Sequence, residues 1–178
     1  MSTPAALSVL SVRELAEPDL SAYKALRDHA LVHHEEAFTS DAAAEATRTA
    51  QSYASRLGRS DEGGSFTLGA FRADRLVGAV SCERDARVKV RHVGHVVGTM
   101  VLAGEQGSGV GRALMEALLA RAEADAELEQ LTLTVTAGNA AAERLYERMG
   151  FVRFGTLPHA IRVGDRYFDK HHMVRRLR

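Results

Sequence analysis

The sequence predicts an α/β (α+β) fold, a single domain with a mixed, mostly antiparallel twisted sheet and flanking helices. Three observations point there. Stretches of two-residue alternation occur in both halves of the chain, helical spacing occurs in separate stretches, and a glycine-rich turn near the middle joins a strand to a helix. With 178 residues the chain has the length of one ordinary domain and can bury a real core. No internal repeat, linker or low-complexity stretch divides residues 1–178.

Taken in order, Ser8 to Leu15 reads as a strand, and Asp19 is placed to cap a helix running to about Val32. A second helix is expected over Asp41 to Leu57, stopped by Gly58, with Asp61-Glu62-Gly63-Gly64 as a loop. Phe66, Leu68 and Ala70 alternate with small or polar neighbours as a strand does. Arg72 to Arg75 turns the chain into Leu76 to Cys82, giving an antiparallel hairpin. Asp85 to Val90 is polar and expected at the surface.

His92 to Leu102 is rich in β-branched and small residues and reads as a strand, followed by the glycine turn Ala103 to Gly111. Leu114, Met115, Leu118, Leu119 and Ala122 then mark an amphipathic helix over Gly111 to Ala124. Leu131, Leu133, Val135 and Ala137 alternate with Thr132, Thr134 and Thr136, the cleanest strand of the chain. Asn139 caps a short helix that runs to Met149 and stops at Gly150. Val152 to Val163 and Arg166 to Leu177 flank Gly164-Asp165 as a closing hairpin.

Composition narrows the function classes. The formal net charge is zero, so the totals call for neither nucleic acid nor an anionic membrane. The only lysines are Lys24, Lys89 and Lys170; the remaining basic residues are arginines, a compositional bias rather than a binding signal. The single cysteine, Cys82, permits no intramolecular disulfide and fits a reducing compartment. Met1 to Leu10 lacks the pattern of a secretory signal, and no stretch reaches the roughly 20 apolar residues of a bilayer span. The cytoplasm is the expected location.

The most informative stretch is Gln106-Gly107-Ser108-Gly109-Val110-Gly111-Arg112, which leaves a strand and opens a helix. Glycines there let backbone approach a ligand closely, and amide N–H groups at a helix start suit a phosphate or pyrophosphate. Arg112 adds a full positive charge. A P-loop requires Gly-Lys-Ser/Thr, which is absent, and the glycines alternate instead of following G-x-G-x-x-G. Taken alone, the turn also fits a connection that binds nothing.

The turn resembles the Gln/Arg-x-x-Gly-x-Gly/Ala signature of the GCN5-related N-acetyltransferase (GNAT) superfamily, with Gln106, Gly109 and Gly111 at the marked positions. Thr99-Met100-Val101-Leu102 is similar to the strand that precedes it. Asn139-Ala140-Ala141-Ala142-Glu143-Arg144-Leu145-Tyr146, followed by Gly150-Phe151, resembles the family's later Asn-x-x-Ala-x-x-Leu-Tyr…Gly-Phe helix. Looser similarity reaches Leu26 to Leu31, Glu36 to Phe38, and Gly155, Ala160-Ile161, Tyr167, Asp169 and Met173.

The resemblance implies an N-acetyltransferase using acetyl-CoA, without a metal, to acetylate a primary amine of a small molecule or a protein. Backbone groups of Met100 and Val101 would bond the pantetheine arm in the manner of an added strand. The N–H groups of Gly107, Ser108, Gly109, Val110, Gly111 and Arg112 would hold the pyrophosphate, with Gln106 supporting the turn. Asn139 would lie near the pantetheine and Tyr146 near the thioester sulfur. Homodimers are common among similar proteins, and no residue here specifies one.

Direct transfer needs a neutral amine, a donor for the developing oxyanion and a proton for the departing thiolate. A backbone N–H near Val101 suits the second and Tyr146 the third, since a phenol near pKa 10 is protonated at neutral pH. By periodicity alone Tyr146 is an apolar-face aromatic beside Leu145 and Met149. For the base, His95, His92 and the Glu35/Glu36 pair compete; His95 is equally readable as a strand histidine bonded to backbone. Its strand parity with Val97, Thr99 and Val101 predicts that it faces their side. His29 and His33 are four apart, but His33-His34-Glu35-Glu36 is not H-E-x-x-H, and Asp169, His171 and His172 alternate faces. Cys82 reads as a packed residue. A non-catalytic acyl-CoA sensor of the same fold is the competing function.

Overall fold

The computed structural model describes residues 9–57 and 64–178. Its strands are β1 (Leu10–Glu14), β2 (Phe66–Arg72), β3 (Arg75–Arg84), β4 (Val93–Val101), β5 (Gln130–Thr136), β6 (Val152–Val163) and β7 (Arg166–Arg176). Its helices are α1 (Leu20–His33), α2 (Ala42–Ala46), α3 (Val110–Glu123) and α4 (Ala140–Arg148). The strands form one sheet in the order β1-β2-β3-β4-β5-β7-β6. Every neighbouring pair is antiparallel except β4 and β5. Among the described residues, no helix is long and apolar enough to cross a membrane.

Each face of the sheet carries its own core. On one face Leu114, Met115 and Leu118 of α3 pack with Val80, Val96, Leu131 and Leu133, and Tyr146 and Phe151 close the cluster. On the other, Tyr23, Leu26 and Ala30 of α1 pack with Phe71, Leu76, Ala79 and Met100. Leu114, Met115 and Leu118 have no exposed surface, so each contributes about 1.5–3 kcal/mol by burial. This two-sided cover explains a departure from expectation: Phe66 to Phe71 are all buried, the small and polar positions included. Thr67 satisfies its hydroxyl against Ser81 Oγ (2.8 Å) and the Arg56 carbonyl (3.0 Å).

Two further expectations are corrected. Asp19 precedes α1, yet its side chain does not cap the helix; it accepts from Arg13 (2.7 and 2.8 Å) and from the Ala16 N–H (2.9 Å). The single helix expected over Asp41 to Leu57 is instead α2 followed by a 3-10 turn at Ala50–Tyr53. Asp41 does cap, accepting from Ala44 N–H at 2.8 Å. The helix then fails because Thr47 and Ser52 hydroxyls donate to the carbonyls of Ala44 and Thr49, offering the backbone a local alternative. Ser8, Gly58 and Asp61 to Gly63 lie outside the described residues.

Alternation along β4 breaks at Gly98, whose φ is +62°. Cys82 stands opposite Val96 and Ser81 opposite Val97, but Ala79 stands opposite Met100 and Gly78 opposite Val101. The extra residue is a β-bulge, and it moves the parity of everything after it. Val97 and Met100 therefore share a face, as do Val96 and Val101. The expected common side for His95 and Val101 is corrected accordingly: His95 lies on the face of Met100 and α1.

The segment after α1 is tied down by charge. Glu45 accepts from Arg27 Nε (2.9 Å), Arg48 (3.1 Å) and the Tyr53 hydroxyl, and it is 8% exposed. Burial works against this carboxylate, but the hydrogen bonds from Tyr53, Arg27 and Arg48 outweigh it and hold its pKa at about 2. A depressed folded-state pKa stabilises the fold above the ordinary value of 4.5 and ceases to do so as pH falls towards 2. Glu45→Gln is expected to destabilise the protein by about 1.5–3 kcal/mol at pH 7. Denaturant titrations should show the gap to wild type closing on acidification; a gap that ignores pH would contradict this assignment.

Candidate active site

Between β4 and β5 the sheet opens. Parallel pairing joins only Val93–Val96 to Gln130–Leu133, whereas β4 continues to Val101 and β5 to Thr136. Each strand keeps its outer neighbour: Val101 stays opposite Gly78 of β3, and Thr136 opposite Lys170 of β7. Among the described residues, the inner edges beyond Val96 and Leu133 have no strand partner. Leu102 N–H donates to the Val77 carbonyl at 2.9 Å. Alternation then turns the N–H and C=O of Met100 towards β3 and leaves those of Thr99 and Val101 facing the gap.

The glycine turn lies at the end of this gap. Gly107 and Gly109 have φ of +76° and +90°, and a Cβ at either would meet nothing within 4 Å. The backbone is bare there on one side. Gly111 is different: a Cβ would sit 3.3 Å from Leu145 Cδ2 and 3.8 Å from Val101 Cγ2, so its missing side chain lets α3 approach α4. Gly109 begins α3 without a side-chain cap. The N–H groups of Val110, Gly111 and Arg112 therefore have no partner inside the helix, and the helix dipole adds positive potential at the same place.

Not every residue of the turn faces outward. Ser108 N–H and Oγ both donate to the Glu105 carbonyl (3.3 and 2.6 Å), and Oγ also reaches the Glu105 carboxylate (3.1 Å). That carboxylate accepts from Arg72 Nε at 2.8 Å, the chief cause of its lowered pKa. Arg72 and Glu105 brace the turn from below, and sequence reasoning missed both. Gln106 turns its amide to His34, donating to Nε2 at 3.1 Å, and so connects the turn to the end of α1. Arg112 pairs with Glu116 at 2.7 Å on open surface.

Tyr146 comes from α4, is 7% exposed, and meets Phe151 edge-on with ring centroids 6.2 Å apart. Burial raises its pKa above 10, opposed by a hydrogen bond with the Thr99 side chain. Tyr146 is thus a protonated phenol at neutral pH, held at the first residue after the bulge. Asn139 caps α4, its Oδ1 accepting from Ala142 N–H at 3.2 Å, which leaves the amide NH₂ outward. His95 is exposed and bonds Thr132 Oγ1 through Nδ1 at 2.7 Å. It stands on the still-paired part of β4, four residues before Thr99, which with the bulge is about 10 Å along the strand.

A roof covers the α1 side of the gap. The Glu35–Ala37 turn is held by Thr136 Oγ1, which donates to the Glu36 carbonyl at 2.7 Å, and by Lys170 Nζ, which donates to the Ala37 carbonyl at 2.8 Å. Glu35 and Glu36 belong to this roof, while His92 lies just before β4. Among the described residues, no three His, Cys, Asp or Glu side chains gather as metal ligands would. His29 and His33 stack on each other at 4.0 Å. Burial pushes the Cys82 thiol up to about 12, which makes it inert.

A model of the acetyltransferase (GNAT) family matches residues 23–151, well over half of the chain. The chain belongs to the GNAT acetyltransferase family. It is accordingly an acyltransferase. Solved GNAT structures share its fold closely. A GNAT-family acetyltransferase from Streptococcus pneumoniae superposes with a TM-score of 0.85 at 24% identity, covering 94% of this chain and 99% of that one. The yncA protein of Salmonella typhimurium, solved with its cofactor acetyl-CoA, gives 0.84 at 20% identity, covering 96% and 95%. A GCN5-related N-acetyltransferase from Kribbella flavida gives 0.79 at 26% identity, covering 94% and 97%.

The close approach at Gly111 yields a structural expectation. Gly111→Val would drive branched carbon into Leu145 and Val101, lowering stability by about 1–3 kcal/mol through overpacking. Gly111→Ala, needing only a small shift of Leu145, should lose much less. Thermal unfolding of the two variants checks the ordering, which equal losses would refute.

Proposed function

We propose that the protein transfers an acetyl group from acetyl-CoA to a primary amine of a small molecule or peptide, by direct attack. The observation that carries this is the gap between β4 and β5, which has a bare glycine turn at one end and a protonated phenol at its inner edge. Acetyl-CoA in the yncA structure is further support. The pantetheine arm would pair with the free edge of β4 through Thr99 and Val101, as an added strand. Met100 contributes from the other side, its backbone holding β4 to β3. The pyrophosphate would rest over Gly107 and Gly109 and accept from Val110, Gly111 and Arg112. Gln106 and Ser108 act as supports of the turn, and the outward Asn139 NH₂ would lie near the arm.

The chemistry follows from these positions. The lone pair of the neutral amine attacks the thioester carbonyl, so an N–C bond forms and the C–S bond breaks. The Val101 N–H is a donor for the negative charge that develops on the carbonyl oxygen. Tyr146 gives its proton to the departing thiolate and takes one back from solvent before the next turnover. The proton lost by the amine leaves along the α1 side of the gap through water. His95 stands at the outer end of that route with Nε2 as its free nitrogen, too far from Thr99 to take the proton without intervening water.

Two measurements test the reading. Gly109→Asp brings a side chain and a negative charge to the bare side of the turn. It should nearly abolish acetyl-CoA binding by calorimetry while circular dichroism stays native; unchanged affinity would remove the cofactor assignment. Tyr146→Phe should leave that affinity intact and slow single-turnover acetyl transfer by about 10²- to 10⁴-fold. An unchanged rate would reduce Tyr146 to packing.

A further inference from the structure

One buried charge has no part in this scheme. Lys170 is 7% exposed, and among the described residues its ammonium has one partner, the neutral carbonyl of Ala37. Among the described residues no carboxylate lies within ion-pair distance of it. A cation taken out of water without a counter-charge is destabilising, and two of its three N–H donors remain unused.

Its location gives that charge a use. Lys170 is opposite Thr136, and His172 opposite Thr134. Thr132 is opposite His95 on β4, so all six residues lie on the face of the sheet beneath the roof. Extending the register from Val96 and Leu133 through the bulge brings Thr136 level with Met100, the neighbour of Thr99, which holds the Tyr146 hydroxyl. Lys170 is thus one strand beyond the level at which transfer is proposed. The trough floor from Thr132 to Lys170 is made of hydroxyls, imidazole and one ammonium, with no carboxylate among them. Thr134, midway along it, is exposed.

We infer that the acceptor carries a carboxylate near its amine, and that Lys170 is the specificity residue that supplies the counter-charge. This rests on the acetyl-transfer reading and names its substrate class. An amino acid or the acidic end of a peptide satisfies the trough, with its amine directed to Thr99 and its carboxylate to Lys170 and the Thr136 side. A polyamine would bring a second cation against Lys170 and is disfavoured. The Ala37 carbonyl keeps one Lys170 N–H and aims the other two.

The test compares matched acceptors: several amino acids, their amides, their decarboxylated amines, a short acidic peptide and spermidine. Binding to the CoA-loaded protein is measured by calorimetry, and acetylation separately by thiol release. Wild type should favour the carboxylated member of each pair by about 10- to 100-fold, the scale of one charge-assisted contact. Lys170→Met should erase that preference, weakening the carboxylated members well beyond any loss shared by all acceptors through release of the Ala37 carbonyl, and Lys170→Arg should restore part of it. The acidic peptide against free amino acids distinguishes the two sources of the carboxylate. Equal binding of acids and amides by wild type would overturn the inference. So would equal loss for both in a folded Lys170→Met protein that still binds acetyl-CoA, since that is the signature of a merely structural lysine. Should carboxylated ligands bind selectively while no amine is acetylated, the acetyl-transfer reading fails and the trough assignment stands.

Discussion

The separation of β4 from β5 is the constraint on which the rest of this molecule turns. Two parallel strands that stayed paired would satisfy each other's amides and leave nothing for a ligand. Here the pairing ends after four residues on each strand, and each is held open by its outer neighbour, β3 on one side and β7 on the other. The bulge at Gly98 belongs to the same device. It inserts one residue opposite Val80, bends β4, and needs a left-handed backbone that an ordinary residue would adopt at a penalty of about 1 kcal/mol. An open sheet with unpaired inner edges is stable because each face has a full hydrophobic core, built by α3 and α4 on one side and α1 on the other.

Electrostatics and desolvation then differ sharply from place to place. Near Glu45, burial is offset by three donors and the carboxylate stays ionised. At Tyr146, burial acts on a group that is neutral when protonated, so it keeps the proton in place rather than removing a charge. At Lys170, burial lowers the pKa, and no carboxylate among the described residues opposes it. The glycine turn has the opposite arrangement, with charge supplied by backbone dipoles and the side chains of Glu105 and Arg72 engaged with each other underneath.

Much of this was legible in the sequence because it rests on local pattern. The alternation of Leu131, Leu133 and Val135 gave β5, the spacing of Leu114, Met115 and Leu118 gave α3, and Asn139 capped α4 as its side chain predicts. The glycine turn was legible because positive φ and close approach demand glycine. What escaped were effects of residues distant in the chain. The Arg72–Glu105 brace spans 33 positions and Lys170 to Ala37 spans 133, and no local period encodes either. The parity of His95 with Val101 failed for a different reason: one glycine inside a strand pattern was compatible with regular pleat and with a bulge, and only the register with β3 decides. The helix expected after Asp41 failed because Thr47 and Ser52 redirect the backbone, although the capping residue was rightly placed.

The roof over the gap is fastened in an unusual way. Thr136 and Lys170 grip the carbonyl oxygens of Glu36 and Ala37, not their side chains. Every amino acid carries that carbonyl, so the side chains at these two positions are free to diverge without loosening the fastening. Over evolutionary time such a lid can be re-lettered for new acceptors while its position above the sheet is inherited intact. The chemistry and the counter-charge would stay with the strands and the glycine turn, while the shape of the acceptor space would drift with a three-residue segment that the fold does not read.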